Sequence, residues 1–446
     1  IQTVFGSLVG LLLISCSSMN SLTIPVVEPA PVYLPNSVQA VGIINRSLPS
    51  EENEKMDQVD KILSVEGRNL DKEAAQMSKI NPPFRADHVG SLLRPKALLK
   101  ARQRCQEKEI SKQELRSVED RHISEVVKKQ EAVGLKSITD GEFRRAFFHL
   151  DFLEQLAGVT VKGSIAASSD AQDKVGFTPP KLSVTGKLRH VKTIQVDDFN
   201  YLKSQVNQTP KVSIPSPTMI HFRGGRKAID IEAYPDMDEF FEDLAQCYRD
   251  EMNALYQAGC RYIQLDDTNL AYLCDPEMRA GALERGDDPN ELPHAYAALI
   301  NSVIDGRPAD LTVGVHLCRG NFRSTWFAEG GYEPIAEVLF NELNVDAYFL
   351  EYDDERSGDF APLRFVPNDK TVVLGLVTTK LPKLELNRDL IQRVKEAAQY
   401  LALENMCLSP QCGFSSTFHG NEISEDDQWS KLELVVKTSL EIWGDS

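Results

Sequence analysis

The sequence predicts a (β/α)₈ barrel, and three observations lead there. From Met77 onward, short runs rich in β-branched and apolar residues alternate with longer segments of helical periodicity. The strand-like runs number eight, and the length from Met77 suits one large barrel. Ser91, Asp140, Glu142, Asp266, His316, Cys318, Glu351 and Cys412 all fall at or just beyond the carboxyl ends of those runs, where such barrels collect their reactive groups.

In chain order the strands are expected at residues 85–91, 136–140, 211–216, 262–266, 312–316, 347–351, 372–377 and 406–409. Helical patterns occupy 112–132, 237–258, 291–304, 334–341, 388–401 and 425–442. Their ends carry readable signals. Ser111 with Glu114 three residues on makes a capping box, Gly134 supplies a stop, and Ser424 caps the last helix. After the second strand, between Gly158 and Asn207, Val159-Thr160-Val161 and Leu182-Ser183-Val184 alternate about a Ser/Ala/Asp-rich centre at 166–174. That pattern predicts a hairpin insertion covering one mouth of the barrel. Residues 352–367 hold no long helical pattern, so the sixth unit is expected to be short or irregular.

The first 76 residues differ from the rest. The apolar stretch from Phe5 to Ile14 ends in Ser15-Cys16, as in a bacterial lipoprotein signal, although no positively charged segment precedes it. It is also shorter than the roughly 20 apolar residues of a membrane span. A proline-rich, polar and charged stretch follows up to Gln76. The expectation is an appended segment over 1–76 and a working domain over 77–446, cytoplasmic in location. The alternative is a lipid-anchored protein, with membrane contact only through an acylated Cys16.

The chain has 446 residues, 42% hydrophobic and 26% charged, with a formal net charge of −17. Such a surplus of acid disfavours nucleic acid and anionic membranes as partners. The eight cysteines are dispersed along a long chain, unlike those of a disulfide-stapled secreted domain, and point to a reducing compartment.

His316 and Cys318 stand two apart where a strand ends, so both side chains leave the pleat on the same side. Glu351 closes the apolar run Ala347-Tyr348-Phe349-Leu350, and Cys412 lies in the turn-forming Ser409-Pro410-Gln411-Cys412-Gly413. Nitrogen, sulfur and oxygen donors converging on one barrel mouth suit Zn²⁺. A metal so placed lowers the pKa of a bound thiol and leaves a soft nucleophile, so the residues suggest a zinc enzyme that handles a thiol.

Segments 139–142, 316–319, 349–354 and 409–414 resemble the cobalamin-independent methionine synthase family, in particular its short single-barrel members, and the likeness extends over residues 81–443. The resemblance implies zinc held by His316, Cys318, Glu351 and Cys412, activating homocysteine. It implies that Gly90-Ser91 receives the homocysteine carboxylate and that Glu142 and Asp266 receive its ammonium group. Phe222, beside His221, falls where the family carries an aromatic that stacks on the pterin of the methyl donor, methyltetrahydrofolate. His221 is a candidate to deliver a proton, and His88 and Arg85 flank the Gly90-Ser91 pair. One departure concerns the donor. Where full-length members carry a histidine after the seventh strand as acid for the leaving amine, this chain has Lys380. It also lacks the amino-terminal half that helps those members hold the folate.

Three readings follow. The first is a zinc-dependent methyltransferase that forms methionine from homocysteine and methyltetrahydrofolate or its polyglutamate. The second keeps the activated thiol but changes the partner, to a methylcorrinoid donor or a thiol of the coenzyme M type. The third is a non-catalytic, zinc-binding surface lipoprotein.

Overall fold

In a computed structural model of the protein, the structure describes residues 81–162 and 181–446. The expectations for residues 1–76 and for the insertion centre at 166–174 lie outside the described residues.

Ten strands are described: β1 (Ser137–Ile138), β2 (Ala157–Lys162), β3 (Lys181–Arg189), β4 (Thr209–Pro210), β5 (Val212–Pro215), β6 (Tyr262–Asp267), β7 (Thr312–Leu317), β8 (Ala347–Glu351), β9 (Thr371–Val377) and β10 (Met406–Pro410). Strands β5 to β10 form one parallel sheet in chain order, and β1 pairs in parallel with β4. Ala86 bridges in parallel to Leu408 of β10. Within the six-stranded sheet each strand neighbours its successor, and the first segment meets the last strand at Ala86, as in a TIM barrel. Strands β6 and β8 are buried along their whole length, as parallel strands covered by helices must be.

The first three strands are shorter than predicted, each for a local reason. Among residues 85–91 only the Ala86 bridge forms. The His88 amide there donates to the Asp87 side chain, and Gly90 turns the backbone at φ +133°. The second strand stops at Ile138 because the next amide, that of Thr139, donates to the Gln130 side chain on the preceding helix. The third run, expected at 211–216, forms β5 over Val212–Pro215, and the short β4 precedes it and ends at Pro210. The predicted hairpin is present as the antiparallel pair β2–β3.

The helix at Met237–Ala258 has the predicted bounds, and Lys112–Val133, Leu292–Ile304 and Glu425–Trp443 differ from prediction by one residue at one end. Capping boxes form at Ser111 with Glu114 and at Ser424 with Asp427. After β8 the chain makes only two short 3₁₀ turns, Glu355–Ser357 and Ala361–Phe365. Three helices of ten or more residues escaped the sequence reading, Lys96–Gln106, Val196–Gln205 and Pro276–Arg285, as did the single turns Leu150–Leu153 and Asn269–Tyr272. Among the described residues no helix is long and apolar enough to cross a membrane.

Candidate metal and substrate site

The ends of β7 and β8 and the loop after β10 bring His316, Cys318, Glu351 and Cys412 together. One ligand atom from each lies within 4.8 Å of all the others, and all four residues are buried. Cys318 is held by its amide, which donates to the Asp267 carbonyl at 2.7 Å. Glu351 is held through its backbone, where its N–H donates to the Tyr332 hydroxyl at 2.9 Å. The carboxylate itself accepts at Oε1 from the Arg319 amide at 3.1 Å, and Arg356 Nη2 approaches Oε2 at 3.5 Å. Gly375, opposite Glu351 on β9, lets the Cys412 loop come close, since a Cβ there would meet the Gln411 Cα at 2.7 Å.

These four groups fit a zinc ion. The two thiols are free, with their sulfurs 3.4 Å apart. Two zinc–sulfur bonds of about 2.3 Å at a tetrahedral angle would place sulfurs about 3.8 Å apart, within a few tenths of that spacing. The buried His316 ring finds no hydrogen-bond partner outside the cluster, where Cys318 is its neighbour. An imidazole in this condition is costly unless a ligand takes a nitrogen. Burial, reinforced by the negative charge of Cys318, pushes the Glu351 carboxyl up to about 7. A divalent cation among the four would offset that crowding of negative charge.

A second group of carboxylates adjoins the first. Asp266 is the register partner of His316 across β6 and β7, so the two side chains leave the sheet on the same side. Gln264 Nε2 donates to Asp266 Oδ1 at 2.7 Å. Burial and then the charge of Glu142 push the Asp266 carboxyl up to about 7. Its neighbour Asp267 points elsewhere and is satisfied by Thr218 and the Leu270 amide. Glu142 sits at φ +56°, a region non-glycine residues seldom occupy, and pairs with Arg145. A Cβ on Gly90 would come within 2.7 Å of Glu142 Oε1. Ser91 reaches the other way, its carbonyl accepting from the Phe414 amide at 2.9 Å and its Oγ from the Ser415 amide at 3.3 Å. Gly90-Ser91 therefore spans from the Glu142 loop to the loop that carries Cys412.

Lys380 is buried, with Nζ 2.8 Å from Asp353 Oδ2. The other Asp353 oxygen accepts from Arg356, so Lys380, Asp353 and Arg356 form a chain leading to Glu351. His221 bonds through Nδ1 to the Tyr296 hydroxyl at 2.9 Å and lies edge-on to Phe241. Its burial lowers its pKa. Phe222 packs against Tyr272 with Arg285 over its ring. Tyr272 in turn fills the space that a Cβ on Gly320, just after Cys318, would take. His88 is buried inside the barrel, bonded through Nε2 to the Ser137 carbonyl, and Arg85 holds the carbonyls of Glu404 and Met406.

The sequence reading missed Arg319, Tyr332, Asp353 and Arg356. A signal existed for two of them, because Asp353 and Arg356 lie at i and i+3 immediately after a ligand-bearing strand.

Comparisons with known proteins agree with this geometry. Residues 84–425 match the family model of the cobalamin-independent synthase catalytic domain. A Bacillus subtilis (strain 168) protein known only as the uncharacterized protein YxjH is 46% identical over 363 residues, covering 81% of this chain and 95% of its own. A methionine synthase of Pyrococcus horikoshii is 25% identical over 353 residues, 79% of this chain and 90% of its own. Among solved structures, a putative vitamin-B12 independent methionine synthase from Listeria monocytogenes superposes with a TM-score of 0.67 at 41% identity, over 82% of this chain and 100% of its own. A B12-independent methionine synthase from Shewanella sp. W3-18-1, solved with selenomethionine, shares the fold, with a TM-score of 0.60 at 18% identity over 80% of this chain and 97% of its own. The chain belongs to the cobalamin-independent methionine synthase catalytic-domain family.

Proposed function

We propose that the protein transfers a methyl group from 5-methyltetrahydrofolate, or its polyglutamate, to the thiol of homocysteine, forming methionine. The observation that carries this reading is the adjacency of two sites. A buried His/Cys/Glu/Cys set adjoins a pair of carboxylates, the buried Asp266 and the half-buried Glu142. An amino acid bearing a short thiol side chain has the groups for both.

His316, Cys318, Glu351 and Cys412 would hold Zn²⁺, which when bound keeps a substrate thiol deprotonated at neutral pH while leaving its sulfur nucleophilic. Asp266 and Glu142 receive the ammonium group, and Ser91 with the Gly90 backbone receives the carboxylate. Charge-assisted contacts at both ends fix where the sulfur points. In the transfer the S–CH₃ bond forms as the CH₃–N5 bond of the donor breaks, and the departing amine nitrogen takes up a proton. Lys380 is assigned to supply it, held in place by Asp353. Phe222 and His221 are assigned to the wall that receives the pterin.

The second reading, another thiol or a corrinoid donor, keeps the metal set but leaves the buried Asp266 without a cationic partner. A competition assay distinguishes them. Methyl transfer from methyltetrahydrofolate is followed with equimolar homocysteine and mercaptoethanesulfonate, and homocysteine should take nearly all the label. Preferential methylation of mercaptoethanesulfonate would replace the first reading with the second.

A further inference from the structure

Arg319 follows the ligand Cys318 directly and is fully buried. Its guanidinium meets no anionic acceptor: Tyr332 is its hydrogen-bonding neighbour, and it joins no ion pair among the described residues. Its guanidinium lies over the Tyr332 ring, 4.6 Å from the centroid. A dry, unpaired guanidinium is among the costliest groups a fold can hold, and a single ring face offsets little of that cost. Two other arginines of the site are ion-paired: Arg356 with Asp353, and Arg145 with Glu142.

The compensating charge is next door. Two thiolates and a carboxylate around a divalent ion leave one surplus negative charge, and a bound thiolate adds a second. Arg319 is tied to this centre twice. Its own amide donates to Glu351 Oε1, and its guanidinium packs on Tyr332, whose hydroxyl accepts from the Glu351 amide. The ionisable groups that face the guanidinium are Glu351, Tyr332, Cys274 and, more remotely, Tyr352. Burial holds the Cys274 thiol at about 12 and raises both tyrosines, and the carboxylate that faces the guanidinium is Glu351 of the candidate metal set.

We infer that Arg319 is a positioning residue, the internal counter-charge that lets the metal centre accept a second anionic sulfur. The inference rests on the thiol-activating reading above. It carries a distinctive sign. A cation beside a metal site repels the incoming metal and attracts the incoming thiolate, so its removal should move the two affinities in opposite directions. A purely structural arginine would move them together.

The test uses the full-length protein and its R319M and R319K variants. Zinc affinity is measured by competition with a chromophoric chelator, and homocysteine affinity of the zinc-loaded protein by calorimetry from pH 6 to 9. R319M should bind zinc at least as tightly as the wild type and homocysteine about tenfold or more weakly at pH 7. Its deficit should shrink as pH rises, because the bound thiol now loses its proton at higher pH, and R319K should restore most of the loss. Parallel loss of both affinities in R319M and R319K, or no change in either, overturns the counter-charge. Wild-type protein that binds zinc but takes up no homocysteine overturns the thiol reading itself.

Discussion

Asp266 and His316 face each other in register across the parallel strands β6 and β7, so one side of a single strand pair carries both a buried carboxylate and an imidazole of the candidate metal set. Under the proposed function, the sheet then fixes the distance between the ammonium group and the thiol of the substrate. Binding the head of the substrate and presenting its sulfur become one event.

Separate roles predict separable losses. Asp266→Asn and Glu142→Gln should raise the KM for homocysteine by about tenfold or more, the order expected on losing a charge-assisted contact of some 1.5–3 kcal/mol. Zinc content should stay at that of the wild type, measured by atomic emission on the purified variants. Zinc lost in parallel with substrate affinity would mean that the carboxylates belong to the metal site.

Cys412→Ser should do the reverse. With one of two sulfur donors gone, zinc affinity should fall by more than the roughly 10–100-fold typical of altering an outer-sphere partner. A chelator competition would show it, and near-normal retention would exclude Cys412 from the ligand set.

Lys380 gives a third pattern. If it supplies the proton to the leaving amine, Lys380→Met should lower kcat by about 10²–10⁴-fold. Homocysteine affinity should hold, because Arg356 still satisfies Asp353. A donor analogue protonated before transfer should recover part of the rate. An unchanged kcat would remove Lys380 from the chemistry.

The barrel interior predicts a pH dependence of stability. Burial, with the nearby charge of Lys211, holds the His88 ring at about 4, against an ordinary value of 6.5. The folded protein keeps His88 neutral where the unfolded chain is already protonated, so the unfolded state binds more protons between those values. Stability from this residue is therefore full above pH 6.5 and is lost as pH falls toward 4, by up to about 3 kcal/mol. Urea unfolding of the wild type and His88→Gln from pH 7 to 4 should show a shallower decline in the variant. Parallel curves would mean that the imidazole is protonated without penalty.

How much of this was legible in the sequence depended on how local the signal is. The His/Cys/Glu/Cys cluster was readable because its members lie at or just beyond the ends of strand-like runs, and β6 through β10 form where those runs predicted. The helix at Pro276–Arg285 was readable too, and was missed: Asp275 caps it, Pro276 opens it and Gly286 ends it. By contrast, Val196–Gln205 has no side-chain cap at its start, so nothing local announces it. The second strand fell short because Gln130, on the preceding helix, accepts the Thr139 amide, a contact that strand propensity does not encode. The second layer of the site, Arg319 on Tyr332 and Asp353 between Lys380 and Arg356, depends on contacts between loops that no periodicity encodes.

Zinc-edge X-ray absorption on the protein with and without homocysteine tests the central claim most directly, because it reports the metal and its sulfur count together. Two sulfur ligands should be present at rest, from Cys318 and Cys412, and three after homocysteine is added. A sulfur shell that stays at two would contradict thiol activation at this site, and with it the methionine-forming assignment.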